Sequence, residues 1–577
     1  MANTQVATVG QNWKIEKIAV IGPGIVGTPM AALLASTKVG HEDPPEVVVV
    51  QRRSVTSGWK VEAINRGESP IGGVEPGLDR LIADSVRNGT LRATHEYAEV
   101  RDADVILVCV QTDKDGLAPD YGPLFDALSC IGEALQGRPA GRVPLVVFES
   151  TLAPSSMATV IRDHFSSYGL EEGRDVLLGN SPNRVMPGRL VERVTTSDKI
   201  AGGLAERTAD MIRNLYSRIV TGGKVYATNS MTAEIVKTLE NAYRDVRIAF
   251  ATEIARYCDD HNIDFYRVRE SINRRLSQWD EATADATAVP SGGLLVPTLG
   301  VGGHCLPKDG ILLWWRRLQS GNDQSNSLIL EARRINDESP QACVTLAEHA
   351  FGSLAGCSVA LLGTAYRFDS EDTRNSPTLS LAKILQRLGC TVTLHDPYVR
   401  PGDQNLLRHD LGGRFTNDLA TALGDAELAF LCTAHRAYRE SLGPAFSKHP
   451  QMRALFDACN FLRPDEAARL GVAYAGIGRG TAPPTMGFLD FVYQEFRAVE
   501  RGLANEVLEL IDFLNASYAP DPFNRVTFLE VQRLAGTCVT GCDIVDPGPV
   551  ADSSGFHGFS SRLADLARAA RSQHHAM

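Results

Sequence analysis

The chain lacks any apolar run approaching the ~20 residues that a membrane-crossing helix requires. Its N-terminus, MANTQVATVGQNWKIEK, has no apolar core of a secretory signal. Charge blocks and low-complexity tracts are missing too, so composition points neither to disorder nor to a charged tail. Cations are outnumbered, with 58 Lys and Arg against 69 Asp and Glu and a net charge of −11. That balance argues against a general binder of nucleic acid or of acidic membranes, while leaving room for an anionic small substrate held by a few local cations. The 11 cysteines have no framework spacing and fit a reducing cytoplasm. Cys538 and Cys542 stand close together, but with no second pair or histidine tract nearby they predict no metal site. What remains is an ordinary folded composition, 44% apolar, in a chain whose 577 residues exceed what one core can hold.

The hydrophobic pattern predicts two α/β units. Residues 17–22 (Lys-Ile-Ala-Val-Ile-Gly) read as a buried strand leading into a helix that reaches about Ser36. Further apolar strands are expected at Val47–Val50, Asp104–Val110 and Leu145–Phe148, and this alternation indicates a parallel, doubly wound sheet. From Ser230 to His261 there is neither Gly nor Pro, which predicts one long helix suited to pack against a partner as well as its own domain. Residues 284–303 are rich in Gly, Pro and Ala, as a binding loop would be. A second α/β unit opens at Ser358–Gly363 and continues through a helix at about Pro377–Leu388. It adds strands at Thr391–His395 and Glu427–Cys432, and closes near Gly478. Met486–Leu514 reads as an amphipathic helix, and Ser572–Met577 as a frayed tail. The expected fold is therefore two Rossmann-like doubly wound domains, 1–225 and 346–480, joined by a helical spacer at 226–345 and followed by a mostly helical extension at 481–577.

Three motifs carry chemistry. Gly22-Pro23-Gly24-Ile25-Val26-Gly27 follows a strand and opens a helix, the context in which such glycines let a pyrophosphate approach a helix N-terminus. Gly22, Gly24, Ile25, Val26 and Gly27 are thus candidates for a dinucleotide turn. Thr112 and Thr151, beyond the third and fourth strands, stand at the same ligand-binding edge of the sheet. The second strand ends in Val50-Gln51-Arg52-Arg53, without the acidic residue that holds a ribose 2′-hydroxyl. Gln51 accepts NAD if the arginines are simply solvated, whereas Arg52 admits NADP if it reads a 2′-phosphate. On the long helix, Lys237 and Asn241 share a face one turn apart. Alone, such a pair is most often a solvated stripe; beside a reactive centre it stabilises a developing oxyanion. The third motif is Gly300-Val301-Gly302-Gly303-His304-Cys305-Leu306-Pro307-Lys308-Asp309. Its glycines allow close approach of backbone to a ligand, and Pro307 suits a first helical turn. A helix N-terminus favours a thiolate, so Cys305 is the candidate nucleophile rather than an inert buried thiol. Asp309, four residues on, is placed to return beside the sulfur.

In this order, the elements resemble the UDP-glucose/GDP-mannose dehydrogenase family over roughly residues 15–480. The likeness rests on Glu149-Ser150-Thr151, Ser181-Pro182-x-Arg184-Val185-x-Pro187-Gly188, Ala233-Glu234-x-Val236-Lys237…Asn241, the Cys305 segment, and Asp372-Thr373-Arg374-x-Ser376-Pro377. The resemblance implies a four-electron oxidation of a nucleotide-sugar C6 hydroxymethyl to a carboxylate, with two nicotinamide cofactors reduced in turn. It implies that Cys305 carries the substrate covalently, that Lys237 and Asn241 stabilise the oxyanion, and that Asp309 handles a proton or water. Thr151 would hold a water or the nicotinamide carboxamide, while Lys308 and Arg374 would reach the cofactor. Gly300, Gly302, Gly303, Asn183, Arg184 and Arg367 would contact the nucleotide sugar. A homodimer or higher homo-oligomer is expected by the same likeness.

Two departures from the pattern stand out. Relatives carry a glutamate where this chain has Asn183, and many carry a second where it has Pro187. An amide cannot take a proton from water, so thioester hydrolysis would rely on Asp309, Glu149 or an ordered water. Arg367 replaces a lysine, keeping charge but changing shape. Arg184-Val185-x-Pro187-Gly188, His304 and Thr433-Ala434-His435 lean toward the N-acetylhexosamine branch, while Lys308-Asp309 leans toward the glucose branch. Two alternatives stay open: a single-hydride dehydrogenase of the β-hydroxyacid type, which needs no thiol, and a nucleotide-sugar-binding protein with degraded catalysis.

Overall fold

The structure, a computed structural model, describes residues 13–548 apart from 40–42, 56, 73–74, 140, 186–187, 277–292, 322–326 and 539–540. Pro187, the first half of the expected loop at 284–303, residues 1–12 and the tail at 572–577 lie outside the described residues. The chain divides into two compact units: 1–238 with 511–539, and 239–510 with 540–577.

The first unit is built on β1 (Lys17–Ile21), β2 (Glu46–Val50), β3 (Leu91–Thr94), β4 (Val105–Val108), β7 (Leu145–Phe148), β8 (Leu177–Asn180), β9 (Lys199–Gly203) and β10 (Val225–Asn229), with a small hairpin of β5 (Asp113–Asp115) and β6 (Ala118–Asp120). The eight long strands run in the order β10-β9-β8-β7-β4-β1-β2-β3. Strand order reverses between β1 and β4, which are parallel with Ile18 beside Val105. Such a switch point opens a ligand crevice at the strands' carboxyl ends. The four strands expected from Val and Ile runs all form, each side chain of β4 and β7 being buried, as a sheet covered on both faces demands. β8 against β9 is the one antiparallel pair of this sheet.

The second unit carries β11 (Ser358–Leu362), β12 (Thr391–His395), β13 (Phe415–Thr416), β14 (Leu428–Leu431), β15 (Ala454–Asp457) and β16 (Ala473–Gly476), in the order β13-β12-β11-β14-β15-β16. All its pairs are parallel. Its core joins this sheet to Phe250, Ile254, Val344, Leu489, Val492 and Phe496. The extension thus begins as part of this unit: in helix Met486–Tyr518, Phe496 meets Phe250 edge-on at 5.6 Å and Phe488 stacks on Tyr257 at 5.0 Å. That helix runs four residues past the expected Leu514, and Phe528–Ala535 forms one more short helix. The long Gly- and Pro-free segment is a single helix, Ser230–Asp260, and the unit boundary falls within it, after Thr238. No described helix is long and apolar enough to cross a membrane.

Candidate active site

In the first unit, the glycine motif forms the turn between β1 and helix Gly27–Ala35. Gly22 has φ 96°, and a Cβ there would lie 2.9 Å from the Cys109 carbonyl oxygen. A Cβ on Gly27 would strike the Gly22 carbonyl, so this glycine serves helix–strand packing. A Cβ on Gly24 would meet nothing within 4 Å, which leaves the backbone of Gly24-Ile25-Val26 open to a ligand at the helix N-terminus. Gln51 sits at the end of β2, its amide donating to Ser57 Oγ at 2.9 Å. Arg52 pairs with Asp126 at 3.4 Å and Arg53 with Glu96 at 2.6 Å, both largely exposed. These are solvated pairs, so a 2′-phosphate would have to displace Asp126 from Arg52. Thr112, buried, donates to the Thr151 carbonyl at 2.7 Å and fixes the strand ends where Thr151 emerges. These residues fit a dinucleotide.

Glu149, two positions before Thr151, is fully buried and makes an ion pair with Lys199 at 2.8 Å. The Tyr216 hydroxyl donates to its other oxygen, Lys199 also donates to the Ser181 carbonyl at 3.0 Å, and the Asn183 amide donates to Glu149 at 3.4 Å. Burial, together with the charge of Glu149, holds the Tyr216 phenol well above its ordinary pKa, so it remains a donor. Asn183 accepts from the Val185 N–H at 2.8 Å, so both ends of its amide are engaged, one by Glu149 and one within the loop. Glu234 accepts from the backbone N–H groups of Ser155 and Met157 at 2.7 and 2.8 Å, pinning the turn that follows Thr151 to the start of the long helix. Lys237 is buried one turn further on that helix.

In the second unit, Cys305 occupies the N-cap of helix Leu306–Gln319 with Pro307 in the first turn, and it is exposed. Its carbonyl accepts from the N–H groups of Lys308 and Asp309 at 3.1 and 2.9 Å. Asp309 is fully buried, where it accepts from the Asn241 amide at 2.6 Å and from the Lys308 ammonium at 2.8 Å. Asp309 therefore orients Asn241, and Lys308 is committed to Asp309. The glycines of the loop answer a crowded neighbour. A Cβ on Gly302 would collide with Tyr366, and one on Gly303 (φ 86°) would lie 2.9 Å from the Tyr366 ring. Gly303 donates to the Arg374 carbonyl at 2.8 Å and accepts from Asn375 at 3.0 Å. Gly300 packs on Pro377, where a Cβ would come within 3.2 Å. The Arg374 fork grips Asp372 at 2.9 and 2.5 Å. Burial works against that guanidinium's charge, but Asp372 more than offsets it and raises the pKa. Arg367 lies over Phe368 at 5.5 Å on the same segment. The Cys305 loop and residues 366–377 are thus one packed piece. Lys199, Tyr216 and Tyr366 have no counterpart among the residues expected from sequence, and Glu234 stood there only as part of a motif, without a role. Only a lysine inside an otherwise apolar strand, Lys199-Ile-Ala-Gly-Gly, signalled one of them.

A dinucleotide turn on a doubly wound sheet, a second parallel sheet and an exposed cysteine at a helix N-terminus define an NAD-dependent oxidoreductase. The family comparison agrees domain by domain. The NAD-binding domain of the UDP-glucose/GDP-mannose dehydrogenase family matches residues 16–220, its central domain 231–338 and its UDP-binding domain 360–464. The chain belongs to that family. It is 31% identical over 471 residues to a UDP-N-acetyl-D-mannosamine dehydrogenase of Pyrococcus horikoshii, covering 80% of this chain and 99% of the relative. To an NDP-N-acetyl-D-galactosaminuronic acid dehydrogenase of Ralstonia nicotianae it is 30% identical, over 73% of this chain and 92% of that one. Among solved structures, the Pyrococcus horikoshii UDP-D-ManNAc dehydrogenase superimposes with a TM-score of 0.67 at 30% identity, covering 81% and 100% of the two chains.

Proposed function

We propose that the protein oxidises the C6 hydroxymethyl of a UDP-linked sugar to a carboxylate in two successive two-electron steps, with Cys305 holding the sugar covalently between them. The activities named for the relatives favour an N-acetylhexosamine. NAD, when bound by the first unit, accepts the electrons of each step. The first oxidation yields an aldehyde. The Cys305 sulfur adds to its carbon, and the oxygen takes up a proton. Oxidation of that thiohemiacetal leaves a thioester; water then adds to the carbonyl, the C–S bond breaks, and carboxylate and thiol are released.

The exposed Cys305 at its helix N-cap, with the Asn241–Asp309–Lys308 chain fixed in the same unit, is the observation that carries this reading. Asn241 has two amide hydrogens, and Asp309 takes one; the other serves the oxygen on which charge develops. Lys237, on the same helix face, adds its ammonium to that task. Asp309 is a positioning residue in this scheme, because its two oxygens are already committed. Thr151 remains the candidate to hold a water or the carboxamide of the cofactor.

The test is a panel of UDP-sugars assayed with NAD, counting NADH per sugar and weighing the product. Two NADH per sugar and a uronate are expected. One NADH and an aldehyde or ketone would reject the four-electron route. Cys305→Ser should abolish uronate formation while permitting a stoichiometric first oxidation; full turnover by this variant would rule out the covalent step.

A further inference from the structure

The segment that follows the Met486–Tyr518 helix returns to the first unit and closes on two elements of the candidate site. Arg184, next to Asn183, sends Nη1 to the Thr537 hydroxyl at 2.8 Å and Nη2 to the Leu534 carbonyl at 2.9 Å. The Thr537 hydroxyl in turn donates to the Leu534 carbonyl at 2.6 Å. Its hydrogen is thereby directed away and a lone pair left for the arginine, which closes a three-membered ring of hydrogen bonds. Leu534 lies in the last turn of helix Phe528–Ala535, whose carbonyl end favours a cation. A second contact lies at the start of the long helix. Asn229, whose side-chain oxygen caps that helix through the Thr232 N–H at 2.7 Å, donates to the carbonyls of Phe523 and Arg525 at 3.0 and 3.1 Å. Thr228 donates to Glu530 at 2.8 Å. The same short stretch thus grips the loop bearing Asn183 and the cap of the helix bearing Lys237.

We propose that residues 523–537 are a positioning element for the sugar-nucleotide site: Leu534 and Thr537 hold Arg184 from behind, fix the backbone of residues 183–185, and so set affinity for the substrate. This rests on the functional reading above, together with the family resemblance, which implies that Asn183 and Arg184 contact the nucleotide sugar. The guanidinium N–H groups spent on Thr537, Leu534 and the Asp198 carbonyl are not at the same time presented to a diphosphate, so the role proposed for Arg184 is to hold the loop.

Thr537→Val removes the hydroxyl while keeping the shape. Hydrogen bonds to charged groups contribute about 1.5–3 kcal/mol, so the KM for the UDP-sugar should rise about tenfold or more. The KM for NAD and kcat should stay within about twofold, and Thr537→Ser should restore the wild-type value. Arg184→Lys, which keeps charge but loses the fork, should reproduce the rise, and the double variant Thr537→Val with Arg184→Lys should be no worse than either single one. An unchanged sugar KM in Thr537→Val overturns the proposal, as does a fall in melting temperature with KM unaltered, which would make the segment a structural brace only. Equal impairment of the Ser and Val variants also overturns it. If the wild-type protein reduces NAD with none of the UDP-sugars, the functional reading itself fails and takes this proposal with it. Wild-type turnover with an indifferent Thr537→Val sinks the proposal alone.

Discussion

Asn183 shows how an amide occupies a carboxylate's place without leaving an unmet partner. Its nitrogen reaches Glu149 and its oxygen takes the Val185 N–H, so the loop closes on itself around a charge that Lys199 already neutralises. A glutamate at this position would set a second negative charge against Glu149. The sequence made the substitution visible but not its setting, because Lys199 and Tyr216 lie far along the chain and only the fold brings them to Glu149. Breaking a buried pair by removing one partner typically costs about 3–5 kcal/mol. Lys199→Met is therefore expected to destabilise the first unit by that order, measured by chemical denaturation; a change below about 1 kcal/mol would mean that Glu149 finds another cation. Gly302 and Gly303 carry the opposite lesson. Their placement before a cysteine invites a ligand-binding explanation, and close packing supplies a second one: a Cβ on Gly302 would meet the Tyr366 Cβ and Pro377, and one on Gly303 the Tyr366 ring. A glycine run reports that something approaches closely, and only the folded chain says what.

At the scale of elements, the strands that announced themselves were those buried on both faces, such as Val47–Val50 and Leu145–Phe148. β8 and β9 did not, since Gly179 interrupts the one and Gly202 and Gly203 the other. Those glycines are there because strand and helix crowd the same space: a Cβ on Gly179 would lie 2.5 Å from the Gly202 carbonyl oxygen, and one on Gly203 2.5 Å from the Ala209 nitrogen. The long helix was plain from its missing Gly and Pro. The partner of helix Leu328–Phe351 was not, because its N-terminus is closed by Glu506 from the extension. Glu506 accepts from the Ser327 hydroxyl at 2.5 Å and from the Leu328 N–H at 2.9 Å. Burial raises its pKa to about 7 from 4.5, overriding these donors, which favour the ionised form. The folded state therefore binds a proton that the unfolded chain gives up between those values. This stabilisation is whole at the acid side of the window and is lost as pH climbs through 7. Stability should fall between pH 5 and pH 8 by on the order of 2–3 kcal/mol from this group. Glu506→Gln should flatten that part of the profile in denaturant melts at both pH values; an identical slope in variant and wild type would dismiss the assignment.

For the whole molecule, the discontinuity of the first unit matters most. Every residue matched to the family lies before Ile511, yet residues 511–539 belong with 1–238. A chain ended after Leu510 would strip partners from Asn229, Thr228 and Arg184. Each buried group left unsatisfied costs about 1–3 kcal/mol, so the truncated protein should show a lowered melting temperature and faster proteolysis of its NAD-binding part. Equal protection of both forms by NAD would show the segment to be dispensable for that unit. Biogenesis inherits a constraint from the same arrangement. Residues 239–510 separate the two pieces of the first unit, and at about 5–20 residues per second a ribosome needs on the order of tens of seconds to deliver the second piece. During that interval the nascent dinucleotide domain waits with Asn229 and Arg184 uncovered, and it is complete only once residues 511–539 have been made.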